Sequence, residues 1–162
     1  MKSLSLLCFA LLLVGCQTRP ESQIAFEAVT SQKALIRWHH KGVSLVYDAV
    51  CARSSGQAVL VRIYKQSPVS LAEFELGPEN HFEARGRMLG RGWAGPSAGA
   101  PPALASWAAF LAGYRDSASV RDGSRQIQTG PLLVAYTKSG NSLRALSVSR
   151  AGTGEVISAV FN

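Results

Sequence analysis

The chain has 162 residues, 17 of them Lys or Arg against 10 Asp or Glu, for a net charge of +7. That length holds one domain with a real core. A balance this basic draws anionic partners, either lipid headgroups or nucleic acid, and the export signal described next argues against nucleic acid.

Lys2 makes a positive start, residues 4–14 form an apolar run broken only by Ser5, and Leu13-Val14-Gly15-Cys16 closes it. This is the pattern of a secretory signal. The run is about 11 residues, far short of the roughly 20 that a helix needs to cross a bilayer. Residues 17–23 are polar and reach about 25 Å at full extension, so they read as a short tether.

Residues 23–29 alternate, with Ile24 and Phe26 on one face. Residues 33–40, carrying Leu35, Ile36 and Trp38, form a second strand, and Lys41-Gly42 is a turn. Residues 43–52 place Val43, Leu45, Tyr47, Ala49 and Cys51 on one side. After Ser54-Ser55-Gly56, residues 58–64 set Val59, Val61 and Ile63 against Leu60, Arg62 and Tyr64. Residues 69–76 and 81–86 follow, around Gly77-Pro78-Glu79-Asn80. Strands at this spacing, separated by turn chemistry, predict an antiparallel meander.

Residues 90–102, rich in Gly, Pro and Ala, read as a loop. Pro101 and Pro102 suit a helix start. Residues 103–114 then carry Leu104, Trp107, Leu111 and Tyr114 as one apolar stripe of a helix. Residues 115–128 are a polar loop with room for one edge strand. Strands follow at 132–137, 143–149 and 155–161, joined by a hairpin turn at 138–141 and a loop at 151–154. Several strands are apolar on both faces: Val59 beside Leu60, and Ile157, Ala159 and Phe161 beside Val156 and Val160. A sheet covered on both sides, or curled round an apolar lumen, needs that pattern. The predicted fold is a mainly β (α+β) domain at 24–162: a curved antiparallel sheet or half-open barrel with one helix packed on it.

Catalytic chemistry is sparse. Gly95-Pro96-Ser97-Ala98-Gly99 spells G-x-S-x-G, but the motif needs a strand before it and a helix directly after, with a His later in the chain. Here His39, His40 and His81 all precede Ser97. His39 and His40 are strand neighbours and point to opposite faces, so they do not chelate one metal together. Glu73 with Glu75, and Glu79 with Glu83, read as solvated pairs. No enzyme activity, cofactor or metal is expected. The cluster Arg85, Arg87, Arg91 and Trp93 suits a loop that contacts headgroups or other anions, since Arg pairs with phosphate and Trp prefers the bilayer interface.

The tetrapeptide ending at Cys16 resembles the bacterial lipobox. The resemblance implies cleavage before Cys16, diacylation of its sulfur and anchoring by the acyl chains. With Gln17 rather than Asp next, it implies the outer membrane, facing the periplasm. Cys8 would leave with the signal at 1–15, and Cys51 would be the one thiol left, a small buried hydrophobe with no disulfide partner. An exported lipoprotein with a curved sheet and a Pro-led central helix also resembles the LolA/LolB type of lipoprotein carrier and receptor. In that type a half-open barrel holds acyl chains under a helical lid. The resemblance implies that Leu104, Trp107, Leu111 and Tyr114 cap a lumen lined by Leu45, Tyr47, Val61 and Ile63. The receptor form carries a protruding apolar loop where this chain has the polar turn Ser54-Ser55-Gly56. The expected function is thus a non-enzymatic, membrane-anchored envelope lipoprotein that binds a lipid or an acylated or lipoprotein cargo. The alternative is an envelope assembly or protein-interaction lipoprotein without a lipid site.

Overall fold

The computed structural model describes residues 27–66 and 68–162. The signal at 1–15, Cys16 and the tether at 16–23 lie outside the described residues, as do Ile24 and Phe26. The elements run β1 (Ala28–His40), β2 (Val43–Ser54), β3 (Val59–Tyr64), β4 (Ala72–Leu76), β5 (His81–Arg85), β6 (Trp93–Pro96), helix α1 (Pro102–Asp116), β7 (Gly123–Thr129), β8 (Leu132–Ser139), β9 (Ser142–Arg150) and β10 (Val156–Phe161).

All ten strands form one antiparallel sheet, ordered β6-β5-β4-β3-β2-β1-β10-β9-β8-β7. The chain walks outward from β1 to the edge at β6, crosses back through α1, restarts at the opposite edge with β7, and returns until β10 pairs with β1. That last pairing runs from Ala34↔Phe161 to His39↔Val156. Curvature follows from the helix contacts. β4 and β8 stand six places apart in the sheet, about 29 Å if it were flat. A helix is only about 10–12 Å wide, yet α1 packs against both. The sheet therefore curls round the helix, and it stays an open half-barrel because β6 and β7 do not pair.

Every strand except the edges gives one face to this concavity, as its alternation dictates. Ile36, Tyr47, Val61, Ile63, Phe74, Phe82, Leu146, Val148 and Ile157 are buried there with Trp107, Phe110, Leu111 and Tyr114 of the helix. The outer face is different. Ala52 and Leu60, register partners on β2 and β3, are buried on it. Val160, however, is 59 % exposed and Leu35 48 %. Two-faced apolar strands here mean a curled sheet with an uneven outer surface, not a sheet covered on both sides.

Several boundaries differ from the sequence reading. Residues 28–40 form one continuous strand rather than two, because Ser31 and Gln32 pair with Ala52 and Cys51 of the equally long β2. The loop expected at 90–102 contains β6, while the edge strand allowed for in 115–128 is β7, which runs one residue past it to Thr129; both are held from one side only. Lys138 and Ser139 belong to β8, leaving Gly140 and Asn141 as the turn. The helix runs about a turn longer than 103–114, to Asp116. The β1–β2 turn matches its expected chemistry: Lys41 (φ 50°) and Gly42 (φ 77°) adopt the left-handed pair of a type I′ hairpin.

Candidate functional site

The concave face is the one large apolar surface of the fold, and α1 alone covers its centre. The ring of Trp107 stacks on Phe74, with centroids 4.2 Å apart and planes 5° off parallel. It also meets Trp38 and Phe110 edge-on at 5.6 and 5.9 Å. Tyr114 stacks on Phe161 at 5.7 Å. Gly113 brings the helix backbone hard against Val134 and Leu146.

Polar groups fasten both ends of the helix. At its start, the buried carboxylate of Glu155 accepts hydrogen bonds from Ser106 Oγ at 2.6 Å and Trp38 Nε1 at 3.2 Å, and lies 3.4 Å from His40 Nδ1. Arg150 donates to Pro102 O at 2.7 Å. At its end, Arg53 Nη2 donates to Tyr114 O and to Ser117 Oγ, and Lys138 Nζ donates to Ser117 O and Val120 O. These cations satisfy carbonyls that a helix terminus leaves without partners, and they lie at the negative end of its dipole. Arg115 pins the same end to Asn80 Oδ1 at 2.9 Å.

Of the residues expected to line a lumen, Tyr47, Val61 and Ile63 are in the concavity and buried. Leu45 is not buried: it sits near the tip of the β1–β2 hairpin and is 37 % exposed. Trp107, Leu111 and Tyr114 face the sheet fully buried, while Leu104 is only half-buried because the first turn of α1 sits at the mouth of the half-barrel. The lining that sequence reasoning missed is aromatic: Phe74, Phe82, Phe110 and Phe161. The alternation of Phe74, Phe82 and Phe161 on β4, β5 and β10, and the spacing of Phe110 three residues after Trp107 on α1, were the available signals.

The Arg cluster separates. Arg85 is bound into an ion ladder across the outer face of β3, β4 and β5. It contacts Glu73 at 3.2 Å, Glu83 at 3.4 Å and Glu75 at 4.0 Å, and Arg62 reaches Glu73 at 3.4 Å. Trp93 packs on Phe82 at 5.7 Å from β6. All three Arg are exposed, and Arg85 is the one held in ion pairs among the described residues. Of the glutamates read as solvated pairs, Glu73, Glu75 and Glu83 form this ladder. Glu73 lies below the usual carboxylate range: burial raises it, but the Arg62 charge and hydrogen bonds from Arg85 and Ser70 outweigh that. Glu75, opposite Glu83, is raised chiefly by burial.

The G-x-S-x-G stretch begins on β6 rather than in a loop. A one-turn 3-10 segment, not a helix, carries Ser97, whose amide donates to Asn80 O. His39 bonds Ser44 at 2.9 Å and His40 faces Glu155, on opposite sides of β1. His81 lies 3.9 Å from Glu83. Among the described residues no three His, Cys, Asp or Glu side chains gather as a metal set. Cys51 is fully buried, and burial pushes its thiol up to about 12 against the pull of Arg53, so it packs as a hydrophobe rather than reacting. The arrangement is an apolar concave face filled by one helix that polar contacts fasten at both ends. No protein-family model and no curated protein matches the chain.

Proposed function

We propose that this chain is a non-enzymatic envelope lipoprotein, anchored through Cys16 to the outer membrane and facing the periplasm. Its half-barrel accepts an acyl chain of a lipid or acylated cargo when α1 lifts. The observation that carries the reading is that a curled, largely apolar concave face, with polar groups at the two ends of the helix, is covered at its centre by that single helix. The energetics allow the exchange. Exposing Trp107, Phe110, Leu111 and Tyr114 costs about 6–12 kcal/mol at about 1.5–3 kcal/mol per side chain. One acyl chain of about 16 carbons returns about 12 kcal/mol when buried. A single chain therefore roughly offsets these four side chains alone; the polar contacts at both ends of the helix add to the cost, so a diacyl ligand is the one expected to displace it.

Native mass spectrometry of gently purified protein, paired with hydrogen exchange, tests this. The expected result is co-purifying lipid or saturable binding of a fluorescent fatty acid, with faster amide exchange across residues 102–116 when it is bound. Absence of lipid, with exchange in α1 unmoved by the fatty acid, would overturn it.

One observation favours the second reading, a protein-interaction lipoprotein without a lipid site. Leu35 and Val160 are register partners on the outer face and stand exposed there, with Val46 one strand over also exposed. Photo-crosslinking from position 160 in intact cells separates the readings: a discrete protein adduct supports this one.

A further inference from the structure

Beside the C-terminal end of α1, a cavity of about 150 Å³ opens between Arg53, Ser117, Ala118, Lys138, Asn141 and Leu143. Two of these residues are cations and none is a carboxylate. Lys138 is only 6 % exposed. Arg53 stacks on Tyr114, its Cζ 4.0 Å from the ring centroid, and its buried Nε has no acceptor. Among the described residues, neither cation makes an ion pair. Asp122, in the loop before β7, is held instead by the amides of Gly123 and Gly140 at 3.0 and 3.1 Å. Arg53 and Lys138 are met only by carbonyl and hydroxyl oxygens.

A helix C-terminus supplies about half a negative charge. That is well short of two cations, and sequestered charge without a counter-ion is costly. Both side chains hold donors that the protein leaves unused: Lys carries three N–H groups and Arg five. A volume of about 150 Å³ is the share of about five waters, room for one small oxyanion. We propose that this cavity is a phosphate-binding site, with Arg53 and Lys138 as its charge partners and the exposed Asn141 amide at its rim. The site is complete with the helix seated, so it stands or falls independently of acyl binding.

Calorimetry of the full chain in uncharged detergent, titrated with inorganic phosphate at constant ionic strength, tests the proposal. One saturable site is expected. Lys138→Met and Asn141→Glu are each expected to weaken it at least about tenfold (about 1.4 kcal/mol). Lys138→Met replaces a buried charge by an apolar chain of similar length, and Asn141→Glu changes an exposed turn, so a folded variant is available even if the other is lost. Short-chain phosphatidylglycerol is then competed against bound phosphate. Displacement assigns the site to a lipid headgroup and lack of displacement assigns it to free phosphate; both sustain it. No saturable binding, or binding unchanged in a folded variant, overturns it.

Discussion

Gly113 sets how closely α1 lies on the sheet. A Cβ at this position would sit 2.6 Å from Val134 Cγ1 and 3.2 Å from Leu146 Cδ1. Helix propensity favours Ala over Gly by about 1 kcal/mol, while overpacking a core contact costs about 1–3 kcal/mol. The contact dominates, because both neighbours are buried strand side chains with little room to turn. Gly113→Ala is expected to lose about 1–2 kcal/mol in a denaturant titration, and a gain in stability would mean that the helix sits further from the sheet. On the outer face, Glu73 and Glu75 shift in opposite directions. The lowered Glu73 adds stability that is present above the ordinary glutamate range and lost as pH falls through its folded value. The raised Glu75 does the reverse and costs stability once pH rises through that range. Glu73→Gln is therefore expected to lower the melting temperature at pH 7 and Glu75→Gln to raise it slightly. Each effect should stay under about 1 kcal/mol at these partly exposed sites. The Glu75 difference should vanish as pH falls below the ordinary glutamate range, and the Glu73 difference only at lower pH, below its depressed folded value, where each carboxyl is neutral in both states. Equal shifts of the same sign at pH 7 would contradict the ladder.

At the scale of elements, the helix is tied to the sheet most expensively through Glu155. Glu155→Ala leaves Ser106 Oγ and Trp38 Nε1 buried or half-buried without their acceptor. Each stranded donor costs about 1–3 kcal/mol, so a loss of about 2–6 kcal/mol is expected in chemical denaturation. Amide exchange should quicken in the first two turns of α1 and little at its end. Exchange that rises evenly along the helix would show that Glu155 does not act locally. Helix α1 itself was legible in the sequence because Pro101-Pro102 marks its start and its apolar stripe repeats at the helical period. The inner strands were legible from their alternation and turn residues. β6 was not, since an edge strand is held by one neighbour and buries little; β7 was legible only as room for one edge strand in 115–128, because Gly123 to Thr129 shows almost no apolar alternation. The lining residues Tyr47, Val61 and Ile63 followed from strand parity. Leu45 has the same parity but lies near the hairpin tip and stays partly exposed, a position along the strand that parity does not encode. The cavity holding Arg53 and Lys138 was invisible for a stronger reason: the two are 85 residues apart and meet only after the sheet curls.

At the scale of the molecule, the central pairing joins the first described strand to the last. Trp38 and Glu155, 117 residues apart, are hydrogen-bonded across it, and Trp38 pairs in register with Ile157. Neither arm of the sheet buries its concave face alone. β2 to β6 supply Phe74 and Ile63, β8 to β10 supply Leu146 and Ile157, and α1 fills the space between them. Removing one arm exposes the helix face that the other arm needs covered. The described domain should therefore unfold in one transition. Its closure entropy must be met before the central contacts repay it, which places refolding in the millisecond-to-second range typical of sheets with non-local pairing. Ile157→Ala probes the junction directly. Ile157 is fully buried, and losing it should cost about 2–5 kcal/mol. The transition should move as a whole when followed by Trp fluorescence and by far-ultraviolet circular dichroism. If the two signals separate, with one arm melting before the other, then the β1–β10 pairing and the shared helix do not bind the arms into a single cooperative unit. In that case α1 lifts with one arm rather than alone.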